Sequence, residues 1–164
     1  VVALLGAWLE SRGHRRYLVE ASGDSLIAGE KGRGQPWTVA IRHPRDSRGF
    51  VGILELGSPG RKLAVVTSGD YERYFEQDGR RYHHLLDPAT GYPATALVSV
   101  TVIAPTCTEA DALSTAAFVL GPVRGLSLLE TRPEVEGRLI AERGGRLEAR
   151  ATAGFPLAVE DLRL

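Results

Sequence analysis

A few groups of side chains in this sequence have the types and spacing that chemistry requires. His84 and Asp87 lie three residues apart, just ahead of Pro88, which forces extended backbone on the residue before it. An imidazole beside a carboxylate on a loop is a sensible general base, because its proton affinity sits near neutrality. The alternative is a surface histidine next to a turn aspartate that bonds its own backbone. Asp111 and Thr115 stand at i and i+4 in a stretch with helical signals, so both project from one face. A carboxylate and a hydroxyl are oxygen donors of the kind Mg²⁺ takes, with water and phosphate oxygens completing its shell. They read equally as an aspartate on a solvated face and a threonine bonding back to its own helix. Thr67-Ser68-Gly69 follows an apolar run, where a Ser-Gly turn either aims backbone N–H groups at an anion or simply ends a strand.

Other polar residues read more plainly. Asp24, in Ser22-Gly23-Asp24, could face a ligand, but a turn role is the commoner outcome for an aspartate there. Arg42, His43, Arg45 and Arg48 form a local basic cluster, expected on a solvated loop, with docking of an acidic partner the lesser alternative. Cys107 lies one turn before Asp111 and reads as a small buried residue, since hard cations avoid sulfur.

The elements that must position these groups follow from periodicity and punctuation. Apolar residues at Val1, Leu4, Leu5, Trp8 and Leu9 have helical spacing, and Gly13 closes that helix. The pattern is already running at residue 1, so the chain is expected to open inside a helix. Strands are predicted over 17–21, 26–28, 37–41, 50–56 and 62–66, then a hairpin within 71–83 whose turn is Gln77-Asp78-Gly79. Leu97 to Ala104 reads as a buried strand. Thr106 caps the next helix in a capping box with Glu109, Gly121 ends it, and Pro122 opens a further short helix. Two strands around 138–142 and 146–151 flank Gly144-Gly145. The sum is a single α+β domain over 1–164, with many short, mostly antiparallel strands and three helices.

Composition limits the function classes. The 164 residues carry 20 Lys and Arg against 20 Asp and Glu, a formal net charge of zero, so no global field recruits nucleic acid or an anionic membrane. A lone cysteine cannot form an internal disulfide. No run approaches the 18 or so apolar residues of a bilayer span. There is no Met, even at position 1.

Taken together, Val66-Thr67-Ser68-Gly69-Asp70-Tyr71, the Asp78-Gly79-Arg80-Arg81-Tyr82 hairpin, His84-Leu85-Leu86-Asp87-Pro88-Ala89-Thr90-Gly91-Tyr92-Pro93 and Ala110-Asp111-Ala112-Leu113-Ser114-Thr115-Ala116 resemble the C-terminal part of the ApbE family, the FAD:protein FMN transferases. The likeness runs in order from about residue 1 to Gly154-Phe155. Ser22-Gly23-Asp24 stands where the family usually has Gly-Gly-Asp, and the family's N-terminal half is absent. The resemblance implies a T-fold-like domain, FAD as substrate, and Mg²⁺ held by Asp111 and Thr115. It implies His84 as catalytic base with Asp87 supporting it, and Thr67, Ser68, Gly69, His84 and Leu85 bordering the flavin nucleotide. The reaction implied moves FMN onto a threonine hydroxyl of an acceptor flavoprotein and releases AMP. Hydrolysis of FAD to FMN and AMP, and a non-catalytic FAD-binding module, are the alternatives. Relatives are often lipid-anchored at the periplasmic face of a bacterial inner membrane; the anchor would precede this chain, and a cytoplasmic location is the other option. The chain alone is expected to bind FAD poorly and transfer nothing.

Overall fold

The computed structural model describes residues 1–160. Among the described residues there are three antiparallel sheets and two helices, the second of them kinked. After helix α1 (Val2–Ser11) come β1 (Tyr17–Ala21), β2 (Asp24–Ala28), β3 (Trp37–Arg42), β4 (Phe50–Leu56) and β5 (Lys62–Gly69). The hairpin β6 (Tyr74–Gln77) and β7 (Arg80–His83) leads to β8 (Ser99–Ala104) and helix α2 (Cys107–Glu130). Strands β9 (Glu136–Arg143), β10 (Arg146–Ala151) and β11 (Leu157–Glu160) complete the chain. The main sheet runs β1-β2-β5-β8-β9-β10; β11-β4-β3 form a second sheet, and β6-β7 stand apart as a two-stranded ribbon.

The period-two alternation of strands explains the layering. Leu26, Ala28, Ala64, Val66, Val100 and Val102 face α2 and pack with Ala110, Leu113, Ala117 and Phe118. Their neighbours Ile27, Val65 and Ile103 face the other way and pack with Ile41, Val51, Leu54 and Leu56 of the second sheet. The main sheet is thus sandwiched between a helix and a smaller sheet. Strand β8, covered on both sides, is buried at every residue, which is why its sequence reads as an uninterrupted apolar and small-residue run.

Local chemistry sets the element ends. Thr106 takes extended backbone and its hydroxyl accepts the Glu109 N–H at 3.2 Å, capping α2 as its position suggested. Past Ser11, Gly13 has φ +85° and the backbone N–H of His14 returns to the Leu9 carbonyl, a left-handed stop for α1. The β6–β7 turn narrows to Asp78-Gly79, with φ +51° and +72°, the pair a two-residue hairpin demands.

Several expectations change. Thr67-Ser68-Gly69 is no turn: all three remain in β5, paired with Thr101, Val100 and Ser99 of β8. Asp24 opens β2 opposite Val66 instead of sitting in the turn. The division expected at Gly121 and Pro122 holds: Cys107–Glu130 consists of two helical segments on either side of a kink at Gly121. Gly121 itself has φ +80° and ψ −177°, a conformation essentially confined to glycine, and Pro122 resumes the helix behind it. Strand β11 was not foreseen. The segment after β3 is a solvated loop only in part: Arg42 and Arg48 are exposed, but His43 is buried and its Nδ1 accepts the backbone N–H groups of Arg45 and Asp46.

By length and composition α2 could cross a bilayer. Here its apolar residues cover the main sheet. Phe118 is fully buried in that contact and meets the His83 ring edge-on at 5.6 Å. Replacing it with alanine, Phe118→Ala, is expected to cost about 4 kcal/mol through lost burial and the cavity left behind, measurable by urea unfolding.

Candidate functional site

A cleft of about 810 Å³ opens where the C-terminal end of β5, the start of β2, the first turns of α2 and the segment after β7 meet. It is lined by Asp24, Thr67, Ser68, Gly69, His84, Leu85, Asp111 and Thr115, among others. Residues scattered over more than ninety positions of sequence therefore share one wall. Asp87 is the exception and does not line it.

The α2 wall is ordered by hydroxyls. Ser114 Oγ donates to the carbonyl of Asp111 at 3.0 Å, and lies 2.8 Å from Ser68 Oγ. Ser68 Oγ in turn lies 3.2 Å from Thr115 Oγ1. Each hydroxyl has a single proton. Either oxygen can donate in the Ser68–Ser114 and Ser68–Thr115 pairs. When Ser114 gives its proton to the carbonyl, Ser68 donates to Ser114 and Thr115 to Ser68, which leaves the lone pairs of Thr115 Oγ1 as acceptors. Ser68 reaches α2 because strand alternation puts it on the helix face. Thr67 points to the opposite face, where its hydroxyl bonds Thr101 at 2.9 Å, so it borders the cleft without offering that hydroxyl to it.

Asp24 stands on the same helix-side face as Leu26. Burial, and then the charge of Asp111, push its carboxyl above the ordinary range. Burial and the nearby Asp24 charge likewise push the Cys107 thiol up, so it stays protonated and inert. Two carboxylates and an acceptor hydroxyl suit a hard cation, which prefers oxygen and would relieve the repulsion between Asp24 and Asp111. Among the described residues no three His, Cys, Asp or Glu side chains converge. Such an ion would therefore take its remaining ligands from main chain, water or phosphate.

On the opposite wall, the sequence Tyr82-His83-His84 places successive side chains on opposite faces. His83 is buried; its Nδ1 accepts the Leu85 N–H at 3.3 Å and Nε2 donates to the Ala94 carbonyl at 3.0 Å. Burial lowers its proton affinity, so it stays neutral. His84 is exposed to the cleft, and its Nδ1 donates to the Arg73 carbonyl at 3.3 Å, so that in the neutral ring Nε2 is the acceptor nitrogen. The expected support from Asp87 is corrected here. Its carboxylate accepts the Ala89 N–H at 2.9 Å while its backbone carbonyl accepts the N–H groups of Thr90 and Gly91, which is the self-bonding alternative. The group orienting His84 is a backbone carbonyl, for which residue type carries no signal.

Arg45 and Asp70 were also missed. Arg45 grips Asp70 with two parallel bonds of 2.7 and 2.8 Å and reaches Glu142 with Nε at 2.8 Å, while Arg81 approaches Asp70 at 3.5 Å. Those carboxylates hold the Arg45 guanidinium protonated beyond its ordinary value. The network ties the end of β5 to the segment after β3, to β7 and to β9. Asp70 stood in the Ser68-Gly69-Asp70 run, but nothing in the sequence marked Arg45 as its partner.

The molecule is thus an α+β domain of stacked antiparallel sheets whose cleft sets carboxylate and hydroxyl donors opposite an imidazole. The family model for the ApbE family matches residues 1–139, and the chain belongs to that family. It is 42% identical over 131 residues to the FAD:protein FMN transferase of Vibrio cholerae, covering 79% of this chain and 38% of that protein. It is 46% identical over 120 residues to a Klebsiella pneumoniae protein of the same name, covering 72% and 33%. Among solved structures, the flavin transferase ApbE of Vibrio cholerae superposes with a TM-score of 0.78 at 35% identity, over 94% of this chain and 48% of that one. The apo flavinyl transferase ApbE of Pseudomonas stutzeri gives 0.75 at 40% identity, over 94% and 46%. The chain thus spans well under half the length of these curated relatives and about half of the structures.

The two carboxylates generate a prediction that needs no nucleotide. A carboxyl with a raised value in the fold destabilises it once ionised. This penalty is absent below the ordinary carboxylate range and grows as pH rises through the raised value. Asp24→Asn should therefore raise the metal-free melting temperature at pH 7, not at pH 3.5, and Mg²⁺ should stabilise the natural protein more than the variant. Calorimetry at both pH values, with and without Mg²⁺, checks this.

Proposed function

We propose that the protein containing this chain is an FAD:protein FMN transferase that moves FMN from FAD to a threonine hydroxyl of an acceptor flavoprotein and releases AMP. The observation that carries this reading is the meeting of Asp111, Thr115 and Asp24 with the free Nε2 of His84 across one cleft, in a chain whose relatives bear that name. Asp111 and Thr115 would hold Mg²⁺, which supplies charge neutralisation at the pyrophosphate.

The chain's own residues do the rest. The threonine oxygen attacks the phosphorus of the FMN half, the bond from that phosphorus to the bridging oxygen breaks, and AMP leaves with that oxygen. His84 Nε2 takes the hydroxyl proton as the new bond forms. Arg73, through its carbonyl, keeps Nδ1 protonated so that Nε2 faces the substrate as acceptor. Ser68 and Ser114 act through Thr115, fixing which way its proton points and leaving its lone pairs for the cation. Leu85 and Leu86 on the same wall offer apolar surface to the nucleotide.

Mass spectrometry of an acceptor flavoprotein after incubation with the full-length protein, FAD and Mg²⁺ tests the reading. A covalent FMN adduct supports it; FMN and AMP without adduct point to hydrolysis, and FAD binding without turnover to a binding module. His84→Ala should lower transfer about 10²–10⁴-fold while FAD binding is retained. Asp111→Ala should abolish transfer together with its Mg²⁺ dependence, and unchanged activity would sink the metal assignment.

A further inference from the structure

The β6–β7 ribbon displays side chains that the site does not use. Phe75 and Tyr82 are cross-strand partners and their rings stack at 5.1 Å, with planes within 9°. Phe75 is 60% exposed, and so is Tyr92 on the loop that follows. With Tyr74, Leu86 and Pro93 they line an apolar groove of about 570 Å³. Leaving large aromatic rings in water on a two-stranded ribbon is costly unless something covers them.

Two features say what covers them. First, the groove is continuous with the reaction cleft: Arg73, His84 and Leu86 line both. Whatever lies in the groove ends at the base. Second, its rim has uncompensated positive charge. Glu72 is engaged by Arg42 and Glu76 by Arg81. Arg73 and Arg80 are exposed and make no ion pair among the described residues, and Arg80 lies 5.7 Å from the centre of the Tyr82 ring. Asp78 at the ribbon's tip and Asp87 on the following loop make no ion pair among the described residues, but neither lines the groove, whose lining holds Arg73 and no acidic side chain. The rim therefore favours an acidic partner.

We propose that this groove docks an extended segment of the acceptor protein, with apolar side chains on Phe75, Tyr82 and Tyr92 and an acidic side chain beside Arg73 and Arg80. The segment is thereby aligned so that its hydroxyl meets His84. Naming the occupant as acceptor rests on the transferase reading; the docking itself does not.

The test uses the full-length protein and a short fluorescein-labelled peptide bearing a central threonine, flanking leucines and one glutamate. Phe75→Ser, Tyr92→Ser and Arg80→Glu should each weaken peptide binding about tenfold, the loss of roughly one contact at an interface centre. FAD binding, read by flavin fluorescence, should stay unchanged, because none of these three side chains lines the cleft. Replacing the peptide's glutamate with lysine should restore binding to Arg80→Glu. Peptide binding that is absent in the natural protein, or equal in all variants, overturns the proposal. So does binding to anionic phospholipid vesicles that Phe75→Ser abolishes while peptide affinity is unaffected. Groove-dependent binding without FMN transfer leaves the docking standing and removes the transferase reading. Transfer at natural acceptor KM in Phe75→Ser does the reverse.

Discussion

The pairing of β5 with β8 is the constraint on which the rest of the molecule depends. Both strands lie in the middle of a sheet that is covered on both faces, so neither can slip by one residue without exchanging every side chain between helix and second sheet. That locked register carries Ser68 to the helix side and Thr67 to the other. It brings the serine within 2.8 Å of Ser114 and 3.2 Å of Thr115, so that three hydroxyls join in one chain. The polar site thus inherits its precision from apolar packing. A buried hydroxyl chain of this kind is tolerable because every proton has an acceptor.

The opposite wall is positioned by a different device. His83 and His84 are adjacent, and their roles separate because one is drawn into the core against Phe118 while the other faces the cleft. The buried ring anchors the backbone through Ala94 and Leu85, and so delivers its neighbour to the cleft at a set height. The ion network around Asp70 works on the same segment from the far side, tying β7 to the end of β5 through Arg81 and Arg45. Such a partly buried network holds geometry more than it adds stability.

Much of the fold was legible beforehand. Strands announced themselves by alternation or by apolar runs between glycines, and the caps at Thr106 and Gly13 stand where spacing put them. Failures cluster where long-range contact overrides local signal. Ser-Gly usually turns, yet at Ser68-Gly69 the partner strand β8 keeps the ladder going. An Arg- and His-rich stretch usually belongs to solvent, yet Arg45 and His43 are drawn inward by acceptors that lie remote in sequence or arise from local backbone. Glycine and proline at 121–122 did stop one helix and start another, as a local signal can.

The sequence by itself determined the α+β composition, the family, and the side chains able to meet phosphate, metal and proton. Those depend on residue type and short spacing, which are written locally. Only the tertiary structure decided that Asp24 joins Asp111, that Asp87 serves its own turn, that Arg73 orients His84 by a carbonyl, and that β6–β7 leaves its aromatic rings beside the base. Each of these is a relation between segments brought together by packing. Backbone carbonyls and the proton direction of a hydroxyl are common to many residues, so no residue letter can encode them.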